Sequence, residues 1–466
     1  MGRPTTAPSP GARLMLVTGA ALLLTRLFAA GAEAAKSGKL LYAKRIGSST
    51  TKAGAFAVAA GPKGVTALAG HQRQGTYYPM VAKYTSAGKR DWLRRYTKAG
   101  MGRATDVAFD RSGNVYVAAT VKYGTSYDIV VLKYSASGVL LWATEPYDGG
   151  ANGYDRARGL AGDGKGDVVV LGESNYTGRT GIVVLKYKQK SGKRAWKPRC
   201  WDPDPDNPHT HSFDAADLAL DGKGDIYVAG SVSYTGVPST AYTFASMWKA
   251  RGSDGAELKT WGYKPPNGVG NSFFGPLTVR GSSVVATGSV WDEDVDKSTN
   301  ALIVKFDRGL REKARRTWGV GNTSEEAFGE AVIDGKGSVF VTGRQWVAGK
   351  YSKAVTMKLD AKLKTVWSTT YMPASKYADG DYIARDGAGN VYVGGLQDVG
   401  APTAAERYFT IKYSAAGARK WVRIWSVGRW GRPTGLVLGS KDGVYVGGFG
   451  TNKAGVHQAV LLKYRR

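Results

Sequence analysis

The sequence predicts an all-β protein, a propeller of eight four-stranded antiparallel blades, with seven blades plus an appendage as the alternative. Three observations carry that reading. A unit of about fifty residues recurs eight times. Each unit holds four short apolar segments separated by turn signals. The last unit lacks a fourth strand, and a segment that fits the gap precedes the first unit. A chain of 466 residues could otherwise hold three average domains, but an internal repeat overrides that prior.

The unit is clearest from Ala104 to Trp142. Asp106 to Phe109 is a short apolar run. Asp110-Arg111-Ser112-Gly113 reads as a tight turn, because Asp can bond its own backbone and Gly tolerates positive φ. Val115 to Val117 is β-branched and aromatic. A polar loop with Gly124 follows, then a β-rich run from Asp128 to Tyr134. Ser135 to Gly138 is a second turn, and Leu140 to Trp142 the fourth strand. No part of the unit shows helical spacing.

The same marks recur along the chain. A lysine closes the third strand in every unit: Lys83, Lys133, Lys186, Lys249, Lys305, Lys358, Lys412 and Lys463. A tryptophan follows in seven: Trp92, Trp142, Trp196, Trp261, Trp318, Trp367 and Trp421. Their strict period marks them as packing between blades, and the lysine stems are expected to lie along the sheet with their amines on polar groups. The D-x-x-G turn is clear at Asp110, Asp163, Asp221, Asp334 and Asp386, and degraded at Gly61, Arg280 and Gly439. The eighth unit ends at Arg466 with three strands. Leu40 to Ile46 resembles the fourth strand Lys420 to Ile424, with Tyr42 in the tryptophan position, so it is expected to complete the last blade and cover its open edge.

The expected organisation is a signal peptide over 1–35 and one propeller domain over 36–466. Repeats fall near 55–102, 103–153, 154–212, 213–271, 272–324, 325–377, 378–428, and 429–466 plus 39–47. The leader reading rests on Arg3 and Arg13, the apolar Leu14–Leu24, and small residues up to Ala35. It implies secretion, to the extracellular space or the cell envelope of a bacterium. Cys200 is the single cysteine, so no internal disulfide forms, and it is expected to be an unreactive, partly buried thiol.

The pattern D-x-x-G-N-V-Y-V-x-G followed by V-x-K-Y-x-x-x-G-x-x-x-W resembles bacterial SBBP-type β-propeller repeats. Asp110 to Ala119, Val131 to Trp142 and Asp386 to Trp421 carry the resemblance best, and it covers nearly all of residues 40–466. The fourth and fifth units depart from it at Ala250 and Arg280. The resemblance implies a secreted or surface scaffold. The G-x-x-x-W element is also similar, more distantly, to the repeats of pyrroloquinoline-quinone dehydrogenases. The vicinal cysteine pair of many such enzymes has no counterpart here.

Functional signals are sparse. No nucleophile elbow, zincin helix or phosphate loop is present. No spacing picks out a carboxylate pair for glycosidase chemistry. His209 and His211 form a weak candidate for zinc or nickel. No cofactor is expected. Calcium is the one metal with candidates, in two acidic loops: Asp202, Asp204 and Asp206, and Asp292, Asp294 and Asp296. Aromatic residues gather on the face of the second-to-third strand loops, among them Tyr77, Tyr78, Tyr127 and Tyr408. Tyr123, Tyr176, Tyr234, Trp291 and Trp346 are the candidate ligand-binding residues, since flat rings rimmed by polar groups suit sugars.

Net charge is +28. The opposite face is strongly basic, and Lys193, Arg194, Arg311, Arg315 and Arg316 are candidates for binding an anionic polymer. The expectation is a monomeric, non-catalytic scaffold. It binds an extracellular glycan or protein on its loop face and adsorbs to cell-envelope polymers through its turns. It has no intracellular nucleic-acid role and no membrane span in the mature chain. The alternative is a propeller enzyme, acting on polysaccharide or as a quinoprotein-like oxidoreductase.

Overall fold

The computed structural model describes residues 37–150, 153–175, 180–201, 210–235, 242–263, 270–292, 298–319, 324–347, 350–398, 405–426, 428–439 and 443–466. The predicted leader lies outside them. The described residues are strands and turns, with one short 3-10 turn at Pro62–Gly64. No helix among them is long and apolar enough to cross a membrane.

The unit read from the sequence is an antiparallel meander. β6 (Gly102–Phe109), β7 (Val115–Tyr123), β8 (Ser126–Tyr134) and β9 (Leu140–Ala143) pair in chain order. The turn chemistry is as expected. Asp110 Oδ1 accepts from the N–H groups of Ser112 and Asn114, each at 2.9 Å, and Gly113 takes φ +80°. The chain forms six four-stranded sheets and one of eight strands. The larger sheet is two four-stranded halves joined by a single parallel pair, Thr299 with Glu325.

The first strand of each unit sits at the hub. β2 (Ala53–Ala60), β6, β10 (Arg156–Gly162), β14 (Thr210–Leu220), β18 (Gly270–Arg280), β22 (Ser324–Ile333), β26 (Ala378–Arg385) and β30 (Gly431–Leu438) touch one another in that order. β30 also touches β2, so the ring closes. At the seam, β1 (Leu40–Ile46) pairs antiparallel with β32 (His457–Arg465), which pairs with β31 (Gly443–Thr451) and through it with β30. Tyr42 stands opposite Lys463, where Trp92 stands opposite Lys83. This is the propeller architecture.

The core lies between neighbouring sheets. Val81 and Trp92 of one sheet pack with Val107, Val117 and Leu132 of the next. Ile46, Tyr445 and Leu461 pack in the same way with Ala55, Leu68 and Met80 across the seam. A latch recurs at several of these contacts. The Trp92 indole N–H and Lys83 Nζ both donate to the Ala136 carbonyl in the next sheet's third-to-fourth strand turn, at 3.0 and 2.6 Å. Trp142 and Lys133 do the same to Gln189, and Lys463 reaches Ser86 across the seam. Gly138 lies flat on the Trp92 ring, and a Cβ there would sit 2.7 Å from it. Its φ of +85° is the second reason for glycine. The G-x-x-x-W pattern thus records two halves of two different contacts.

Trp261 and Trp318 correct the sequence alignment. Lys249 pairs with Lys259, and Lys305 with Ala314, so neither tryptophan occupies the latch position. The next turns compensate. In place of the positive-φ glycine they carry Leu310 and Leu363, at φ +53° and +63°. Both side chains are buried, at 1% and 2% exposure, beside Trp261 and Ala314 respectively. The leucine fills the volume that the missing indole leaves. Burial of a leucine is worth about 1.5–3 kcal/mol, enough to offset a left-handed backbone costing about 1–2 kcal/mol.

Candidate functional site: an aromatic band at the hub mouth

A β-bulge interrupts each first strand where it nears the second-to-third loops. Bulges re-aim side chains, and in β2 the extra residue is Phe56. Its ring is 5.1 Å from His71 and 6.4 Å from Phe449, and the Arg103 guanidinium lies over it at 5.8 Å. His71 meets Tyr77 edge-on at 4.7 Å. On the other side Phe449 lies 5.2 Å from Trp430, which meets His457 at 5.1 Å.

The band continues into a cleft of about 290 Å³ lined by His71, Tyr77, Met101, Gly102, Arg103, Thr120, Tyr127 and Tyr154. Tyr127 and Tyr154 lie 5.0 Å apart, and the Tyr127 hydroxyl is 3.2 Å from the Met101 sulfur. Trp430 and Tyr154, at the two ends, are 47% and 42% exposed. Burial, aided by Arg103 and His457, pushes the His71 pKa down to about 4, so its ring is neutral near pH 7. The band therefore offers flat apolar faces with guanidinium groups beside them, Arg103 over Phe56 and Arg156 over Tyr154 at 5.0 Å.

Below the mouth, carboxylates tie the hub together. Asp106 in β6 accepts from the N–H groups of Val107 and Leu160, at 2.7 and 2.9 Å. Asp217 in β14 accepts from Leu218 and Leu277, at 2.8 and 2.9 Å. Glu330 in β22 accepts from Ile383 at 3.1 Å. Each bridges one first strand to the next. Burial raises all three, to about 6, 7 and 8, and each later one also feels its predecessor's charge. Asp381 beside them is raised to about 7, first by burial and then by Asp379.

A carboxyl raised in the fold stabilises it at low pH. For Glu330 that contribution is complete below about pH 4.5 and is lost as the pH rises through about 8. Glu330→Gln keeps an acceptor for Ile383 and cannot ionise. It is expected to add about 2 kcal/mol at pH 8 and nothing at pH 4.5, read by thermal melts at the two values.

The sequence candidates lie elsewhere. Tyr123 ends β7, 54% exposed. Tyr234 lies in β15 (Ile226–Thr235) with its ring 5.8 Å from Phe244. Trp291 lies in β19 (Ser283–Asp292) and Trp346 in β23 (Val339–Val347), both half-buried. These four stand on four separate four-stranded units. Tyr176 lies outside the described residues, as do Asp202, Asp204, Asp206, Asp294, Asp296 and His209. Asp292 ends β19 and His211 lies in β14, but their side chains are not among those described. Tyr408 is fully buried and donates to Arg432 and Phe449 carbonyls at 2.7 and 2.6 Å, so it is a structural tyrosine. Cys200 is half-buried beside the Tyr147 hydroxyl at 3.5 Å, and burial raises its thiol, in keeping with an unreactive group.

On the opposite face Lys193, Arg194 and Arg311 are exposed. Arg194 lies over the Tyr147 ring at 5.5 Å. Arg315 and Arg316 are not turn residues, a correction to the sequence reading: they belong to β21 (Glu312–Trp318). Arg316 latches the next sheet, donating to the Leu363 carbonyl at 3.0 Å and Thr365 Oγ1 at 2.7 Å. Arg315 lies over Tyr263 at 4.5 Å and faces Glu312 at 3.5 Å. Among the described residues, the carboxylates grouped closely enough to hold an ion are Asp128, Asp148 and Asp155, beside the cleft.

No known family model matches the chain, and no curated protein matches its sequence. Solved structures resemble it loosely. The WD40 domain of SCAP from fission yeast is 7% identical over 92% of this chain and 97% of that one, with a TM-score of 0.43. Drosophila Plexin A, in complex with Semaphorin 1b, is 8% identical over 92% and 88%, at 0.41. The α-L-arabinofuranosidase Arb93A from Fusarium graminearum is 13% identical over 67% and 92%, at 0.38. Likeness at this level carries no functional argument.

Proposed function

We propose that this chain is a secreted, eight-bladed propeller of the SBBP-repeat type that binds polysaccharide, without cleaving it, along the band from Trp430 to Tyr154. The observation that carries the reading is the band's continuity. Ring after ring is held on strand ends and short loops, and the band runs across four adjacent units, the last and the first three. Sugar rings present C–H faces to aromatics and hydroxyls to groups such as Arg103. Adsorption to anionic envelope polymer through Lys193, Arg194 and Arg311 on the far face is the accompanying proposal.

Affinity electrophoresis against a panel of neutral and acidic polysaccharides tests both parts. Trp430→Ala with Tyr154→Ala is expected to weaken retention about tenfold or more, since each aromatic contact contributes about 0.5–1.5 kcal/mol beyond burial. Reversal of Lys193, Arg194 and Arg311 is expected to leave that retention unchanged and to abolish only the salt-sensitive binding to anionic polymer. Equal retention of the double alanine variant would refute glycan binding by the band.

A second reading has one specific observation behind it. Glu330 and Asp381 are neighbouring carboxyls at the hub, both raised toward neutrality, as general acid–base work requires. Reducing-sugar release from the retained polysaccharide, lost in Glu330→Gln, would favour a hydrolase over a binder.

A further inference from the structure

The three carboxylates beside the cleft are arranged in an unusual way. One oxygen each from Asp128, Asp148 and Asp155 lies within 4.8 Å of the others. Asp128 is the third residue of β8, and the other two belong to the link that follows β9. The link is folded onto the strand: the Asp155 N–H donates to the Tyr127 carbonyl at 2.7 Å. Gly149 donates to Asp155 Oδ2 and Gly150 to Asp148 Oδ1, both at 2.9 Å, while Ser126 donates to Asp128 Oδ1 at 2.7 Å.

Those bonds leave the group unbalanced. Asp155 is 0% exposed and Asp128 3%. Asp155 Oδ1 is buried and makes no hydrogen bond. The Ser174 hydroxyl nearby offsets only part of its burial, and the carboxyl stays raised. Among the described residues, no lysine or arginine forms an ion pair with any of the three. Two of them instead feel their neighbours: Asp148 acts on Asp128, and both act on Asp155. An orphaned oxygen in a group of three carboxylates, with no ion pair to any of them among the described residues, is what a missing counter-ion leaves.

We propose that Asp128, Asp148 and Asp155 bind a calcium ion that pins the link to β8. Three hard oxygen donors, one on a strand and two on a link, suit calcium, which accepts irregular oxygen shells, better than magnesium or a transition metal. Tyr127 and Tyr154 adjoin two of the ligands, so the ion would also set the width of the cleft. The ion site stands whether or not the cleft takes a glycan.

Terbium luminescence on the whole mature protein tests it. Tyr127, Tyr147 and Tyr154 are close enough to the site to act as sensitisers. Emission is expected to saturate at one ion per chain and to be displaced by calcium. Millimolar calcium should raise Tm over that in chelator. Asp148→Asn should weaken terbium binding at least tenfold and remove the calcium-dependent rise. Asp148 is exposed, so this variant is expected to fold even where Asp155→Asn does not. No saturable emission in the parent would overturn the site. So would emission and a calcium response that survive in Asp148→Asn.

Discussion

Deletion of residues 36–47 is expected to leave a protein that aggregates and no longer melts in one cooperative step. The segment supplies β1, whose loss bares the whole edge of β32. It also supplies the seam's own latch. The Gly38 N–H donates to the Arg465 carbonyl at 2.7 Å, and Trp421 donates to Ser37 at 3.0 Å. Arg423 donates to the Gly38 carbonyl at 2.8 Å. An unpaired nine-residue edge invites pairing with another chain. The lost strand and latch together should remove several kcal/mol from a fold whose total is about 5–15 kcal/mol. Light scattering and a calorimetric scan check this. A deletion variant that melts like the parent, as a monomer, would show that the ring does not depend on its N-terminal strand.

The second large effect concerns the two leucine turns. Leu363→Gly should cost about 2–4 kcal/mol. Truncating a buried leucine costs about 2–5 kcal/mol, and relief of the left-handed backbone returns about 1. Ala314→Trp alone should also destabilise, by about 1–3 kcal/mol, because Leu363 already occupies the space an indole needs. The double variant rebuilds the Trp–Gly latch found at Trp92 and Gly138, and should recover at least half of the combined loss. Denaturant melts of the four proteins make a double-mutant cycle. Additive costs would show that Leu363 and Ala314 do not share a volume.

Most of the fold was legible because each repeat mark answers to one physical need. Asp110 and Gly113 make a turn, Lys133 and Trp142 reach one carbonyl, and Tyr42 stands in for an indole at the seam. Spacing alone misplaces Trp261 and Trp318, because it counts residues and ignores register. Lys249 pairs with Lys259, and the compensating leucine lies a full sheet away. The site was far less legible. Phe56, Arg103, Phe449 and Trp430 come from different units and meet only through the bulges and the closed ring. Read loop by loop, the sequence favours exposed tips such as Tyr123. Tyr77 and Tyr127 stand among the loop aromatics of the sequence, but nothing local joins them to Tyr154. Asp128, Asp148 and Asp155 were missed for the same reason: a strand start and a link have no common spacing. In Asp106, Asp217 and Glu330 a signal was present, an acid at one repeat position in alternate units, but bulges blur that register.

Hydrogen-exchange footprinting of the protein with its retained polysaccharide tests the central claim most directly. Binding along the band predicts slowed exchange at 101–103, 126–128, 153–156, 429–431 and 449–457, with the third-to-fourth strand turns unchanged. Protection confined to the turns around 188–194 and 308–311, with none at the hub mouth, would contradict it.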